Sequence, residues 1–268
     1  MNYHAEITLP TPTPEKWAAY LIARAQELDL PHLDLLLDCA NIHPAIFNPF
    51  IPLRHSLQTQ YLLALTPHDD AAQAGPMLIR IDLSNIQHIH LLQYLLFKTT
   101  GEPRILVLFS TLSFTPLAHH LACCLQIEWQ NGLYSGVLRF NDPRLFLAII
   151  NQLSADASQQ LLQPIQEWHW LNRDQHAVML LPPAWDNPIL TSEPLQLREE
   201  DINVLSAWHE AALWRQHADL QPAALEVETQ EAMMQKLVQL QLKADQAKLW
   251  AVNERQGFLS QMIHTEIE

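Results

Sequence analysis

The sequence predicts an α/β fold: a mixed, mostly parallel sheet flanked by helices, followed by an all-helical C-terminal lobe. Two observations predict the sheet. Apolar runs of strand length, HLDLLLDCA (32–40), QYLLALT (60–66), PMLIRIDL (76–83) and RILVLFST (104–111), alternate with helical stretches. These runs are apolar on both faces, as in sheets covered on both sides. A third observation sets off the C-terminus. After the proline-rich LLPPAWDNPILTSEPLQL, the chain from Arg198 holds one proline and one glycine and is rich in Gln, Ala, Leu and Glu. The predicted division is an α/β lobe over 1–185, a linker over 186–197 and a helical lobe over 198–268.

Helix starts are written as a capping residue followed by proline at the first helical position. Thr13-Pro14, Thr115-Pro116 and Asp142-Pro143 have this form. Ser84, with Gln87 three residues on, reads as a capping box, and Ser154 as the cap of ADASQQLLQPI. QIEWQNGLYSGVLRF reads as a hairpin turning at Asn131-Gly132. EWHWLN and HAVMLLP read as a further antiparallel pair. In the C-terminal lobe, REEDINVLSAWHEAALWRQHADL reads as one helix. The stretch from Pro222 to Gly257 reads as a second, with Met234, Leu237, Val238 and Leu242 at helical spacing.

Composition narrows the function. The chain has 268 residues and a net charge of −14. An acidic surface repels phosphate backbones, so nucleic acid is a poor partner and basic or apolar protein surfaces are better ones. The five glycines, Gly75, Gly101, Gly132, Gly136 and Gly257, lie too far apart to cradle a phosphate. Three cysteines, two of them adjacent (Cys123 and Cys124), argue for a reducing compartment. The N-terminus has no basic and apolar leader pattern, and the apolar runs are far shorter than the ~20 residues that span a bilayer. A cytoplasmic bacterial location without membrane insertion is the expectation.

Enzymatic chemistry finds little support. On a helix, His119 faces Cys123 and His120 faces Cys124, half of a tetrahedral metal site without its second half. A helix burying Leu117, Leu121 and Cys124 accounts for the same spacing. Among fourteen histidines, His88, His90 and His169 sit beside large apolar residues, and neither GxSxG nor HExxH occurs. No catalytic residue, cofactor or metal is expected. Tryptophans 208, 214 and 250 and Leu237 are candidates for partner contact, because tryptophan is favoured both at interface hot spots and as a helix-packing anchor.

The segment GVLRFNDPR, from Gly136 to Arg144, is the most organised stretch. A strand ends, Asn141 turns the chain, Asp142 caps and Pro143 begins a helix, with Arg139 and Arg144 flanking the carboxylate. An Arg–Asp network fixing this junction is expected. Arg139-Phe140-Asn141-Asp142-Pro143-Arg144 resembles the signature of the type VI secretion effector adaptors, or effector chaperones. Gln163-Pro164 and Trp168 resemble a later family element, with Gln in place of the common glycine. Upstream, Asp38 and Ala40 fall where the family's opening strand places them, while Asp34 departs from the usual small residue and Met77 from the usual tyrosine. The resemblance spans roughly His32 to Trp170. It implies a non-catalytic adaptor that binds a cognate toxic effector in the cytoplasm and loads it onto the VgrG spike or its PAAR-containing extension. A metal-dependent or hydrolytic enzyme built on the histidine-rich helices and a structural component of the secretion apparatus are the alternatives.

Overall fold

In a computed structural model of the protein, residues 3–184 and 190–265 are described. The chain divides into two compact units, Met1–Leu197 and Arg198–Glu268. In the first unit the elements run β1 (Glu6–Leu9), α1 (Pro14–Glu27), β2 (His32–Asp38), β3 (Gln58–Tyr61), β4 (Pro76–Asp82), α2 (Ile86–Lys98), β5 (Ile105–Phe109) and α3 (Phe114–Leu125). They continue with β6 (Gln126–Trp129), β7 (Tyr134–Val137), α4 (Phe146–Gln152), α5 (Ala155–Leu162), β8 (Glu167–Leu171), β9 (Ala177–Leu180) and β10 (Leu195–Gln196).

Seven strands form one sheet in the order β1-β9-β8-β5-β2-β4-β3, and every neighbouring pair is antiparallel. This overturns the expected mostly parallel sheet. The reason lies in where the helix-linked strands land. β4 and β5 both pair antiparallel with β2, so they run the same way, and α2 connects them. A crossover helix therefore does join two like-directed strands, but β2 is inserted between them. β1 and β2, joined by α1, also run alike with three strands between them. Alternation of strands and helices sets relative direction, whereas adjacency is decided by which other strand fills the gap. A strand buried on both faces is apolar in either arrangement. The smaller sheet is mixed: β10 runs parallel to β6, and β6 antiparallel to β7.

The two faces of the large sheet follow from strand periodicity. Leu33, Leu35 and Leu37 of β2 share one face with Ile79, Ile81, Val107 and Phe109, and α1 and α2 cover it through Trp17, Leu21, Leu92 and Leu95. The opposite face carries Leu36, Leu78, Leu106 and Trp168, all fully buried. There the Trp168 ring lies 4.6 Å from Phe146 of α4, and Phe114 of α3 lies over Arg80.

Several local expectations are corrected. The run 60–66 is the end of β3 followed by a 3-10 turn, Leu62–Leu65, not a strand. α2 is capped by Asn85, which accepts from the Gln87 amide, one residue after the expected Ser84. α3 begins at Phe114, before Thr115-Pro116. Thr13 and Ser154 do cap α1 and α5. Asn131 and Gly132 take the positive φ values, 58° and 79°, of the central residues of a hairpin turn closed by the Leu133 amide on the Gln130 carbonyl. Of the expected linker 186–197, residues 186–189 lie outside the described residues. The rest is docked: Leu195 and Leu197 are buried, and β10 extends the small sheet.

The second unit comprises α6 (Glu199–His217), a 3-10 turn at Pro222–Leu225, α7 (Gln230–Gln246) and α8 (Val252–Thr265). The single helix expected from Pro222 to Gly257 is broken twice, because Glu226 and Lys248 adopt left-handed backbone conformations, with φ of 54° and 58°. Ala207, Ala211, Met233, Met234 and Leu237 form the core between α6 and α7. Among the described residues no helix is long and apolar enough to cross a membrane.

Asp34 and Arg80 face each other across β2 and β4 inside the first unit. Arg80 Nε and Nη2 donate to the two carboxylate oxygens at 2.8 Å each, and Asp34 is fully buried. Arg80→Met strands the carboxylate and is expected to cost about 3–5 kcal/mol in urea unfolding, with much of the loss recovered by adding Asp34→Leu.

Candidate functional site

The first strand of the expected family segment, β2, ends at Asp38, a residue 3% exposed. Burial pushes this carboxyl up, and the Ala40 amide and Arg139 only partly offset it. From the chain beyond β7, Arg139 reaches across. Its Nη2 lies 3.3 Å from Asp38 Oδ2 and 3.3 Å from Asp142 Oδ2. Asp142 is 2% exposed and accepts more. Arg144 donates its backbone amide at 3.0 Å and, in a planar fork, Nε and Nη2 at 2.8 Å each. Burial alone would raise the Asp142 carboxyl, but the Arg144 fork outweighs it and holds the group below the usual range.

Contrary to the expectation, Asp142 does not cap α4 directly. The helix starts at Phe146, and Pro143–Leu145 form a preceding turn. The Asp142 carbonyl accepts from the Leu145 and Phe146 amides while its side chain accepts from Arg144. The carboxylate is needed by two arginines, and this pulls the capping role forward onto the turn. Phe140 is fully buried, edge-on to Trp168 at 6.4 Å. The structure thus brings together Asp38, Arg139, Asp142 and Arg144, with Pro143 buried in the same turn and Phe140 and Trp168 beneath.

Arg104 extends this cluster. Its Nη1 donates to the Ala40 carbonyl at 2.7 Å and its Nη2 to Glu102 at 2.6 Å. It also borders an adjoining cavity of about 460 Å³ whose other walls include Ile42, His43, Tyr94 and Lys98. Arg104 was not singled out from the sequence. Nor were Arg80 and Glu167, which accepts from both Arg24 and His169, and Asp34 stood out only as a departure from the family's usual small residue. For Asp34, Arg80 and Glu167 the signal was present: a charge inside an otherwise apolar strand demands a buried partner.

In the second unit, Trp208 and Trp214 are half-buried against the α6–α7 core, and Trp250 is 69% exposed. Trp214 and Trp250 line a cleft of about 430 Å³ among α6, α7 and α8. Leu237 is fully buried in the core, so the partner-contact role expected for it is corrected: no surface of it reaches a partner.

Two of the histidines have hydrogen-bonded settings that fix their tautomers. His88 Nδ1 accepts from the Asp82 amide, so its Nε2 carries the proton and donates to Ser56 Oγ at 3.1 Å. That is the reverse of the tautomer that would activate the serine. His120 Nδ1 accepts from the Thr191 amide, and its Nε2 lies 3.6 Å from Cys124 Sγ. His119 is exposed. Among the described residues no group of three or more His, Cys, Asp or Glu side chains is placed to hold a metal.

Residues 35–160 match the family model of a domain of unknown function (DUF4123). The matched segment runs from β2 through most of α5 and contains all four members of the carboxylate–arginine cluster. No curated protein and no solved structure matches the chain.

Two outcomes are expected from this geometry. Asp142→Ala removes the anchor of the turn and should destabilise the fold by about 1–3 kcal/mol, lowering the melting temperature more than partner affinity. An unchanged melting temperature with lost binding would make the segment a direct contact instead. Burial pushes His120 down from 6.5 to about 4, against the opposing backbone of Leu161 and Gln160. Its neutral form therefore stabilises the fold fully above pH 6.5, a contribution on the order of 3 kcal/mol that disappears as pH falls to about 4. His120→Gln should make the urea midpoint less dependent on pH across that window.

Proposed function

We propose that this protein is an adaptor, or chaperone, of a type VI secretion system: it binds a cognate toxic effector and loads it onto the VgrG spike or a PAAR-containing extension. The observation that carries this reading is the match of residues 35–160, a family associated with such adaptors, with the signature residues Arg139 to Arg144 inside it. Other features support it. The surface is strongly acidic, which suits a protein partner better than nucleic acid. The buried carboxylates are engaged by arginines and amides, as structural groups are, and the one serine–histidine pair described above has its proton on the wrong nitrogen for hydrolysis. A non-catalytic role in the cytoplasm is part of the same proposal.

The cleft of the second unit is the proposed contact for one partner. Trp250 and Leu213 present apolar surface there, and Trp214 forms its wall. Large aromatic side chains at the centre of such a patch contribute most of the affinity when a partner covers them.

Co-expression of the tagged full chain with the effector and VgrG encoded beside it, followed by pull-down, tests the reading. A stable complex is expected. If neither neighbour is retained, the adaptor function is wrong. Trp250→Ala should weaken the complex about tenfold or more without shifting the melting temperature. Equal affinity would remove the cleft from the interface.

A further inference from the structure

The geometry at the end of β2 points to a carboxylate-binding site: we propose that Arg139 and Arg144, with Lys98 beside the adjoining cavity, receive the acidic side chains of a short peptide segment from a partner protein. This deepens the adaptor reading by giving the chemistry of one partner, but it stands on side-chain geometry alone.

Neutralising Asp142 requires only one guanidinium, and Arg144 already supplies a complete fork to it. Arg139 is additional. It bonds through Nη2 alone, shared between Asp38 and Asp142, and among the described residues its Nε and Nη1 have no acceptor. Its side chain is 48% exposed. Arg144 likewise keeps Nη1 without a partner among the described residues, and its side chain is 39% exposed. Two buried carboxylates thus grip the guanidiniums from behind and leave their outer edges toward solvent. A flexible surface arginine loses side-chain entropy when it binds a carboxylate, whereas these are already held.

The neighbouring cavity continues the same chemistry. Lys98 lines it, with its ammonium 5.8 Å from the Tyr94 ring and 5.7 Å from the Phe97 ring, and no carboxylate partner among the described residues. Arg104 lines the cavity on one side and bonds the chain at Asp38 and Ala40 on the other. Among the described residues, Lys98, Arg104, Arg139 and Arg144 stand here against the carboxylates Asp38, Glu102 and Asp142, a local excess of positive charge on a chain of net charge −14. That contrast selects the occupant. A long polyanion would meet the repulsion of the surrounding acidic surface, whereas a short acidic segment senses only charges within about 8–10 Å. The apolar walls formed by Ile42, Ile46 and Tyr94 leave room for the side chains that alternate with its carboxylates.

The probe is a fluorescein-labelled peptide of about ten alternating glutamates and leucines, titrated into the full chain at low salt and followed by anisotropy. Saturable binding is expected, and the glutamine version of the peptide should bind at least about tenfold more weakly. Arg139→Lys keeps a cation for Asp38 and Asp142 but loses the outer fork. Lys98→Gln alters a side chain that, among the described residues, makes no hydrogen bond or ion pair and only approaches the rings of Tyr94 and Phe97. Each should weaken binding by about fivefold or more with an unchanged melting temperature. Absent binding, equal binding of the glutamine peptide, or equal affinity of both variants overturns the proposal. So does displacement of the peptide by inorganic phosphate at equal concentration, which would assign the site to phosphoanions. Capture of an effector by wild type and both variants alike would remove the site while leaving the adaptor function standing.

Discussion

β2 brings two carboxylates, Asp34 and Asp38, to the middle strands of a sheet buried on both faces. A carboxylate there is tolerable only when cations and amides surround it. Much of the first unit is arranged to meet that demand. Arg80 reaches Asp34 from the neighbouring strand, in direct register, while its Nη2 also bonds the Leu112 carbonyl beyond β5. Arg139 reaches Asp38 from a segment about a hundred residues away in sequence, and in doing so ties the chain after β7 to the end of β2.

The signature segment has two sides. Its inward side is structural: Phe140 packs on Trp168, Asp142 organises the turn, and Pro143 is buried with it. Its outward side consists of guanidinium edges supported by those buried acids. One set of bonds can serve both, because a buried carboxylate has more acceptor capacity than one fork consumes and a guanidinium has more donors than one carboxylate needs. Stability and recognition then load on different residues, Asp142 on the first and Arg139 on the second. A loss of stability at one and of affinity at the other is what separates them.

The four-residue cluster was partly readable from the chain. Asp142 with Arg139 and Arg144 lies within six residues, and an Arg–Asp network could be expected from that spacing alone. Asp38 entered only through the family resemblance, and Arg104 not at all. Nothing local announces that a residue at the mouth of β5 will bridge the backbone after β2, since that contact exists only once the two strands pair. The same limit applies to Leu237 and Trp250. Helical periodicity places both on α7 and the chain just after it, but burial of one and exposure of the other depends on where α6 packs.

By itself, the sequence determined the order and type of most elements, the capping of α1 and α5, the hairpin turn at Asn131-Gly132 and the acidic character of the surface. These depend on residues a few positions apart or on simple sums. Tertiary structure alone decided that the sheet is antiparallel throughout, because β2 lies between the two strands that α2 connects. It also decided that residues 190–197 are docked onto the first unit and that the helix expected from Pro222 to Gly257 is broken at Glu226 and Lys248. Strand adjacency and the partners of buried charges are contacts between distant segments, and a strand apolar on both faces carries no mark of the direction of its neighbour.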